Sequence, residues 1–264
     1  MTSHASPSGH LELEGVRKHF GQGPQQTLAL DQIDLQVREG EFLAIVGPSG
    51  CGKSTLLQIA AGLAKPSSGT VRFRGESVTA PPAGIVYLFQ QYAKSLFPWR
   101  TVLANVMFAV EHRPGLVPAA AREHAMSYLA KVGLADFADR YPWQLSGGMQ
   151  QRVTIARALA AEPRVLLMDE PFSSVDALTR LELHDMVLGL WAQARFTAVL
   201  VTHDVDEAVF LADRIAVLSP RPARISQLIE TGLPRPRDPI TTTEHPRFLE
   251  LRHRLLATLL GRAA

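Results

Sequence analysis

Apolar and polar residues alternate in two short stretches near the start of the chain, Leu11 to Val16 and Ile33-Leu35-Val37 with polar residues between. A period of two suits half-buried antiparallel strands. Glu39-Gly40 reads as a turn into Phe42 to Val46, a continuous apolar run expected of a strand buried on both faces. A glycine-rich loop follows, then a helix from about Ser54 to Ala64, ended near Lys65-Pro66. Ile85 to Phe89, Val165 to Met168, Ala198 to Thr202 and Arg214 to Leu218 read as further buried strands. The stretch from Gln90 to Ala161 differs: it predicts helices over Val102 to Val110, Ala119 to Val132 and Gly147 to Ala160, with no strand. Strand–loop–helix order on both sides of a helical block implies an α/β fold. Its mostly parallel core would carry N-terminal antiparallel strands and an inserted helical subdomain at about 91–160. Pro220 to Pro239 reads as loop or short hairpin. Phe248, Leu251, Leu255, Leu256 and Leu259 recur at helical spacing, which places a C-terminal helix at about 245–260, packed on its own core. Residues 1–10 are expected to be a disordered lead-in, and 11–264 a single domain.

Length and composition agree with one large unit carrying an insertion. The chain has 264 residues, 46% of them hydrophobic, enough for a sizeable core. A net charge of +2 gives no sign of a nucleic-acid binder, and no such partner is expected. Cys51 is the single cysteine, so an intramolecular disulfide or a cysteine-built zinc site is excluded and a thiol-containing cytosolic protein is the simplest reading. The opening MTSHASPSGH has neither the basic start nor the apolar stretch of a signal peptide. No run approaches the roughly 18 apolar residues of a membrane helix. A membrane would be reached through a partner.

The chemistry begins at Gly47-Pro48-Ser49-Gly50-Cys51-Gly52-Lys53-Ser54-Thr55, the phosphate-loop pattern G-x-x-x-x-G-K-[ST] between a buried strand and a helix. Glycines let backbone N–H groups curl around a phosphate, and the helix N-terminus adds partial positive charge. Lys53 would reach the β- and γ-phosphates, and Ser54 would ligate Mg²⁺. The position of Cys51 at that helix start would lower its pKa and make it reactive, unless it is simply a buried, inert thiol. Asp169 and Glu170 end the run Val165 to Met168; adjacent strand residues face opposite ways, so the two carboxylates should have separate tasks. Asp169 would hold Mg²⁺ through water, and Glu170 would orient or deprotonate an attacking water. Guanine recognition through N-K-x-D is excluded, because the single asparagine, Asn105, precedes Val106.

Leu145-Ser146-Gly147-Gly148-Met149-Gln150-Gln151-Arg152 is the most specific string. A hydroxyl and two glycines at a helix start make a second anion-binding end. One triphosphate does not need two such ends from one subunit, so a dimer in which each Ser-Gly-Gly faces the partner's γ-phosphate is the natural solution. The alternative is a serine N-cap with glycines beside it.

With these strings in order, the chain resembles the ATP-binding subunit of an ABC transporter. Gly47 to Thr55 match Walker A, Gln90 the Q-loop glutamine, Leu145 to Arg152 the signature, and Val165 to Glu170 Walker B with its catalytic glutamate. Ser173 to Asp176 match the D-loop, His203 the switch histidine, and Phe20 the aromatic that stacks on adenine. The resemblance implies a P-loop NTPase core and two protomers sandwiching two ATP molecules. Mg²⁺ would be held by Ser54, Gln90 and, indirectly, Asp169, with Glu170 aligning water and His203 on the γ-phosphate. Asp176 joins the nucleotide contacts on the same footing. Gln91, where an acidic residue is common, and the Ser-Ser-Val-Asp form of the D-loop are departures that touch only fine contacts across the dimer.

Leu96-Phe97-Pro98-Trp99-Arg100, Met149 and Ser219-Pro220-Arg221-Pro222-Ala223-Arg224-Ile225 are similar to strings in the nitrate/sulfonate/taurine importer group. That likeness implies import of a small anion such as nitrate, an aliphatic sulfonate or taurine. It also implies an integral membrane permease, a secreted or periplasmic substrate-binding protein, and a place on the cytoplasmic side of the membrane. Tyr92 to Arg100 would line the groove that receives the permease, unless Leu96, Phe97 and Trp99 simply anchor the helical subdomain. A non-transport ABC ATPase of the repair or translation type is the alternative. The 93 positions from Lys53 to Ser146 leave no room for a long coiled coil, and the chain carries one cassette, not two.

Overall fold

The computed structural model describes residues 10–21, 23, 26–111 and 113–261. The expected lead-in, up to residue 9, and the side chain of Tyr92 lie outside the described residues. Along the chain run β1 (Leu11–Phe20), β2 (Thr27–Val37), β3 (Phe42–Val46), α1 (Lys53–Ala60), β4 (Ser68–Phe73) and β5 (Glu76–Ser77). Then come β6 (Ile85–Leu88), α2 (Tyr92–Ser95), α3 (Val102–Met107), α4 (Pro118–Lys131), α5 (Gly147–Ala160), β7 (Val165–Asp169) and α6 (Ala177–Ala194). The last are β8 (Thr197–Val201), α7 (Val205–Leu211), β9 (Arg214–Leu218), β10 (Ile225–Glu230) and α8 (Pro246–Leu259). The chain forms two compact units: one from the residues up to Ala83 together with those from Arg195 onward, the other from Gly84–Ala194.

In the first unit, β2, β1, β4 and β5 form an antiparallel sheet in that order. Both leading strands outrun the expected alternation. Gly15 lies at φ +57 and the register with β2 shifts between Leu13 and Val16, so a bulge resets the in–out pattern. Gly69 of β4 crosses at that point, where a Cβ would lie 2.4 Å from the Gly15 carbonyl oxygen. A second layer holds β3 between β8 and β9, all parallel, with β10 antiparallel on β9. Every residue of β3, β8 and β9 is buried, as continuous apolar runs demand. The Pro220 to Pro239 stretch is therefore the turn and second arm of a hairpin. Two cations converge on the buried Asp31: Arg17 Nε donates to Oδ1 at 2.9 Å and Arg224 Nε to Oδ2 at 3.0 Å. These contacts, and backbone bonds between Ala29, Asp31 and Ala223, tie β2 to the turn after β9. The guanidiniums, Arg224 first, hold the Asp31 carboxyl below the usual carboxylate range.

The second unit pairs β6 and β7 in parallel and packs α3, α4 and α5 against one another. Thr101 caps α3 by accepting from Ala104 N, and Asn105 is buried with its amide spent on Phe97, Arg100 and Thr101 carbonyls. Among the described residues no helix is long and apolar enough to cross a membrane.

Candidate functional site

In the first unit, β3 ends at Val46 and the chain loops from Gly47 into α1 at Lys53. Gly50 and Gly52 lie at φ +71 and +123, which other residues rarely adopt. Gly47 sits in a tight spot: a Cβ would stand 3.0 Å from the Leu218 Cβ and 3.1 Å from Cys51 Sγ. Lys53 is 5% exposed, and its ammonium donates to the carbonyls of Gly47 at 2.8 Å and Pro48 at 3.1 Å. The cap residue Gly52 makes no side-chain cap bond, which leaves the first turn of α1 to backbone N–H groups alone. A positive-φ loop, an ammonium anchored at its centre and a helix start without a side-chain cap fit a polyphosphate. α1 stops four residues short of the expected Ala64, because Gly62 turns at φ +72 where a Cβ would meet the Ala80 backbone at 2.6 Å.

Pro48, Ser49, Gly50 and Cys51 line an open hollow of ≈370 Å³ with Pro220 and Arg221. The reactive form of Cys51 is not what the loop holds. The thiol is 2% exposed and burial pushes its pKa up, against the weaker pull of Lys53. Ile45 is paired with Val201, so His203 follows the carboxyl end of β8, beside the carboxyl end of β3 from which the phosphate loop leaves. It is exposed, and Asp204 after it caps α7 by accepting from Asp206 N and Glu207 N. Phe20, the last residue of β1, is 48% exposed with Lys18 Nζ 5.4 Å from its ring centroid.

In the second unit the two carboxylates after Met168 are separated, but not by strand alternation. β7 ends at Asp169, and Glu170 turns into the left-handed region at φ +46. Asp169 is 6% exposed and its Oδ2 accepts from the Tyr87 hydroxyl at 2.9 Å. Glu170 Oε2 accepts from Gln90 Nε2 at 3.0 Å. Ser146 caps α5, its hydroxyl accepting from Met149 N at 3.3 Å. A Cβ on Gly148 would lie 2.5 Å from Thr179 Cγ2 of α6. Gln151 donates to the Pro171 carbonyl, tying α5 to the turn after Glu170. Asp176 Oδ1 accepts from Thr179 N at 3.0 Å and Oδ2 from its hydroxyl at 2.7 Å; the Thr179 amide holds the carboxyl below its ordinary range.

Phe20, Gly47 to Thr55 and His203 thus belong to the first unit. Gln90, Ser146 to Gly148, Asp169, Glu170 and Asp176 belong to the second. Among the described residues, no three of His, Cys, Asp and Glu gather as a metal cluster. The oxygen donors Ser54, Gln90 and Asp169 are the hard set that Mg²⁺ prefers, with water completing its shell. Tyr87 was not expected, since in the run Ile85 to Phe89 a tyrosine reads as core.

Residues 30–173 match the family model described as ABC transporter. The chain belongs to the ABC transporter family. The cassette is similar to the dimeric structure of a bacterial ABC transporter cassette, with a TM-score of 0.74 at 33% identity over 83% of this chain and 98% of that one. A post-hydrolysis dimer bound to ADP and Pi gives 0.73 at the same identity and coverage. An uncharacterized ABC transporter ATP-binding protein of Methanocaldococcus jannaschii is 48% identical over 94% of the cassette and 91% of its own length. The bicarbonate transport ATP-binding protein CmpD of Synechococcus elongatus is 42% identical over 98% and 94%. The cassette is an ABC-type ATP hydrolase with the α/β P-loop NTPase fold, and the ATP-binding subunit of a transporter.

Proposed function

We propose that the cassette powers import of a small anion, of the class that includes nitrate, aliphatic sulfonates and taurine, and that its relatives named for bicarbonate widen by one member. The likeness to CmpD supports that class. Two copies act together on an integral membrane permease at the cytoplasmic face, fed by a secreted or periplasmic binding protein. Within 84–194, the helical stretch at about 91–160 serves as the subdomain that meets the permease.

In this reading Phe20 stacks on adenine, and Gly47 to Thr55 wrap the phosphates. Lys53 neutralises the β- and γ-phosphates. Mg²⁺, held by Ser54 and Gln90 and through water by Asp169, supplies charge neutralisation for the leaving phosphates. Glu170 orients and polarises water for in-line attack, and His203 stabilises charge on the γ-phosphate. Ser146, Gly147, Gly148 and Asp176 contact the nucleotide held by the partner copy. The observation that supports the reading is the Gln90–Glu170 hydrogen bond at 3.0 Å, which joins the two side chains that it assigns to magnesium and to water.

Glu170→Gln tests it. The amide keeps the size and one acceptor but loses the charge that polarises water. Turnover is expected to fall at least about 100-fold, at the low end of what positioned acid–base groups contribute, with ATP affinity within about threefold of the parent. ATP should also trap a dimer on size-exclusion chromatography. Hydrolysis close to the parent rate removes Glu170 from the mechanism.

A further inference from the structure

We propose that Tyr87 is a positioning residue for Asp169, fixing the orientation in which that carboxylate serves the magnesium shell. The inference rests on the assignment of Asp169 to magnesium made above.

The geometry follows from register. In the parallel pair of β6 and β7, Tyr87 stands opposite Leu167 and Leu88 opposite Met168. Side chains two apart on a strand share a face, so Asp169 lies on the face of Leu167, diagonally one step beyond Tyr87. A diagonal neighbour on the same face of adjacent strands is within reach of an aromatic side chain. Tyr87 bridges it: its hydroxyl donates to Asp169 Oδ2 at 2.9 Å. Phe89, two residues on, packs against the Tyr87 ring with centroids 4.6 Å apart. That contact holds the phenol in place without touching its hydroxyl.

A carboxylate has two oxygens and a freely turning end, and an indirect ligand works through one orientation of both. A donor on one oxygen selects that orientation before the ion arrives. Partners of this kind typically change metal affinity about 10–100-fold when removed. The chain runs on past the end of β6 to Gln90, which donates to Glu170, so β6 and the residues just after it supply a hydrogen-bond donor to each carboxylate. Tyr87 has no further duty toward the nucleotide in this account; it acts through Asp169 alone.

The test compares the parent with Tyr87→Phe and Asp169→Asn. Three quantities are read: fluorescent-ATP affinity in EDTA, the free Mg²⁺ at which magnesium-dependent tightening is half complete, and Mn²⁺ binding to the ATP-loaded protein by EPR. Tyr87→Phe keeps the ring and its packing on Phe89. It is expected to raise half-saturating Mg²⁺ and the Mn²⁺ dissociation constant about tenfold, the low end of the range because the ligand is indirect. Affinity in EDTA and the melting temperature should stay at parent values, and kcat at saturating Mg²⁺ within about twofold. Asp169→Asn should shift the metal readings further. If Asp169→Asn shifts them and Tyr87→Phe does not, the inference about Tyr87 fails and the magnesium assignment stands. If neither shifts them, the assignment itself fails and the inference with it. If Tyr87→Phe lowers the melting temperature or weakens binding in EDTA, the hydroxyl serves the fold, and the positioning role is overturned.

Discussion

Single residues show how the same spacing supports two opposite conclusions. Glycines on either side of Cys51 and a helix start beside it point to an activated thiol. The thiol is instead 2% exposed, and Gly47 approaches the sulfur so closely that a Cβ there would stand 3.1 Å from it. Burial outweighs the nearby Lys53 charge, so the thiol pKa rises. Native cassette should therefore react with maleimide at pH 7 at least about tenfold more slowly than the urea-unfolded chain, with a rate that climbs as pH rises. Fast stoichiometric labelling of the native form would contradict this. The loop itself was legible because its glycines and lysine are required by type at fixed spacing. Burial of Cys51 was not, since it depends on how the folded chain packs around the loop and not on the loop's own residue types. Tyr87 was hidden for a related reason: its partner Asp169 lies 82 positions away, and only strand register brings them together.

Elements were legible where their periodicity was unbroken. The apolar runs of β3, β7, β8 and β9 stand within a residue of expectation, and α4, α5 and α8 follow their spacing. Two helices, α6 and α7, were not assigned from spacing at all, and the missed strands fall where polar residues or glycine interrupt the pattern. β4 is Ser-Gly-Thr-Val-Arg-Phe with three exposed leading residues, and β10 alternates on an edge beside a Pro/Arg-rich turn. The contact of α5 with α6 was equally invisible, because Gly148 carries no side chain to reveal it. An alanine in an unobstructed helical turn stabilises by up to about 1 kcal/mol relative to glycine. At position 148 its methyl would meet Thr179 Cγ2 at 2.5 Å, and overpacking of this sort costs about 1–3 kcal/mol. Gly148→Ala should accordingly lower the melting temperature. Adding Thr179→Ser, which removes Cγ2 but keeps the hydroxyl bond to Asp176, should restore it to the level of Thr179→Ser alone or above. If the double variant melts no higher than Gly148→Ala, the close approach is not the reason for the glycine.

For the whole molecule, the segment from Leu96 to Arg100 divides into two roles that its composition merged. Leu96 is buried, and Phe97 meets Phe108 edge-on at 4.7 Å with the Arg100 and Arg157 guanidiniums over its ring. Trp99 is 72% exposed. A large exposed aromatic is a natural anchor for a partner. Trp99→Ser should keep melting temperature and ATPase activity near parent values and weaken permease pull-down at least about tenfold, as loss of an aromatic anchor does. Phe97→Ser should lower the melting temperature. Unchanged pull-down by Trp99→Ser would place the permease elsewhere.

The order in which the chain is made bears on when it can first hold a nucleotide. β3, which launches the phosphate loop, is flanked by β8 and β9. Those neighbours follow about 150 residues later, and at about 5–20 residues per second a ribosome delivers them roughly 8–30 s afterwards. Through that interval Phe42 to Val46 has neither of the two strands that bury it, and the glycine loop hangs from an unsupported end. The sheet that carries the phosphate loop is complete only once β8 and β9 have been made, and the interval in which this all-apolar strand needs shelter is set by translation speed.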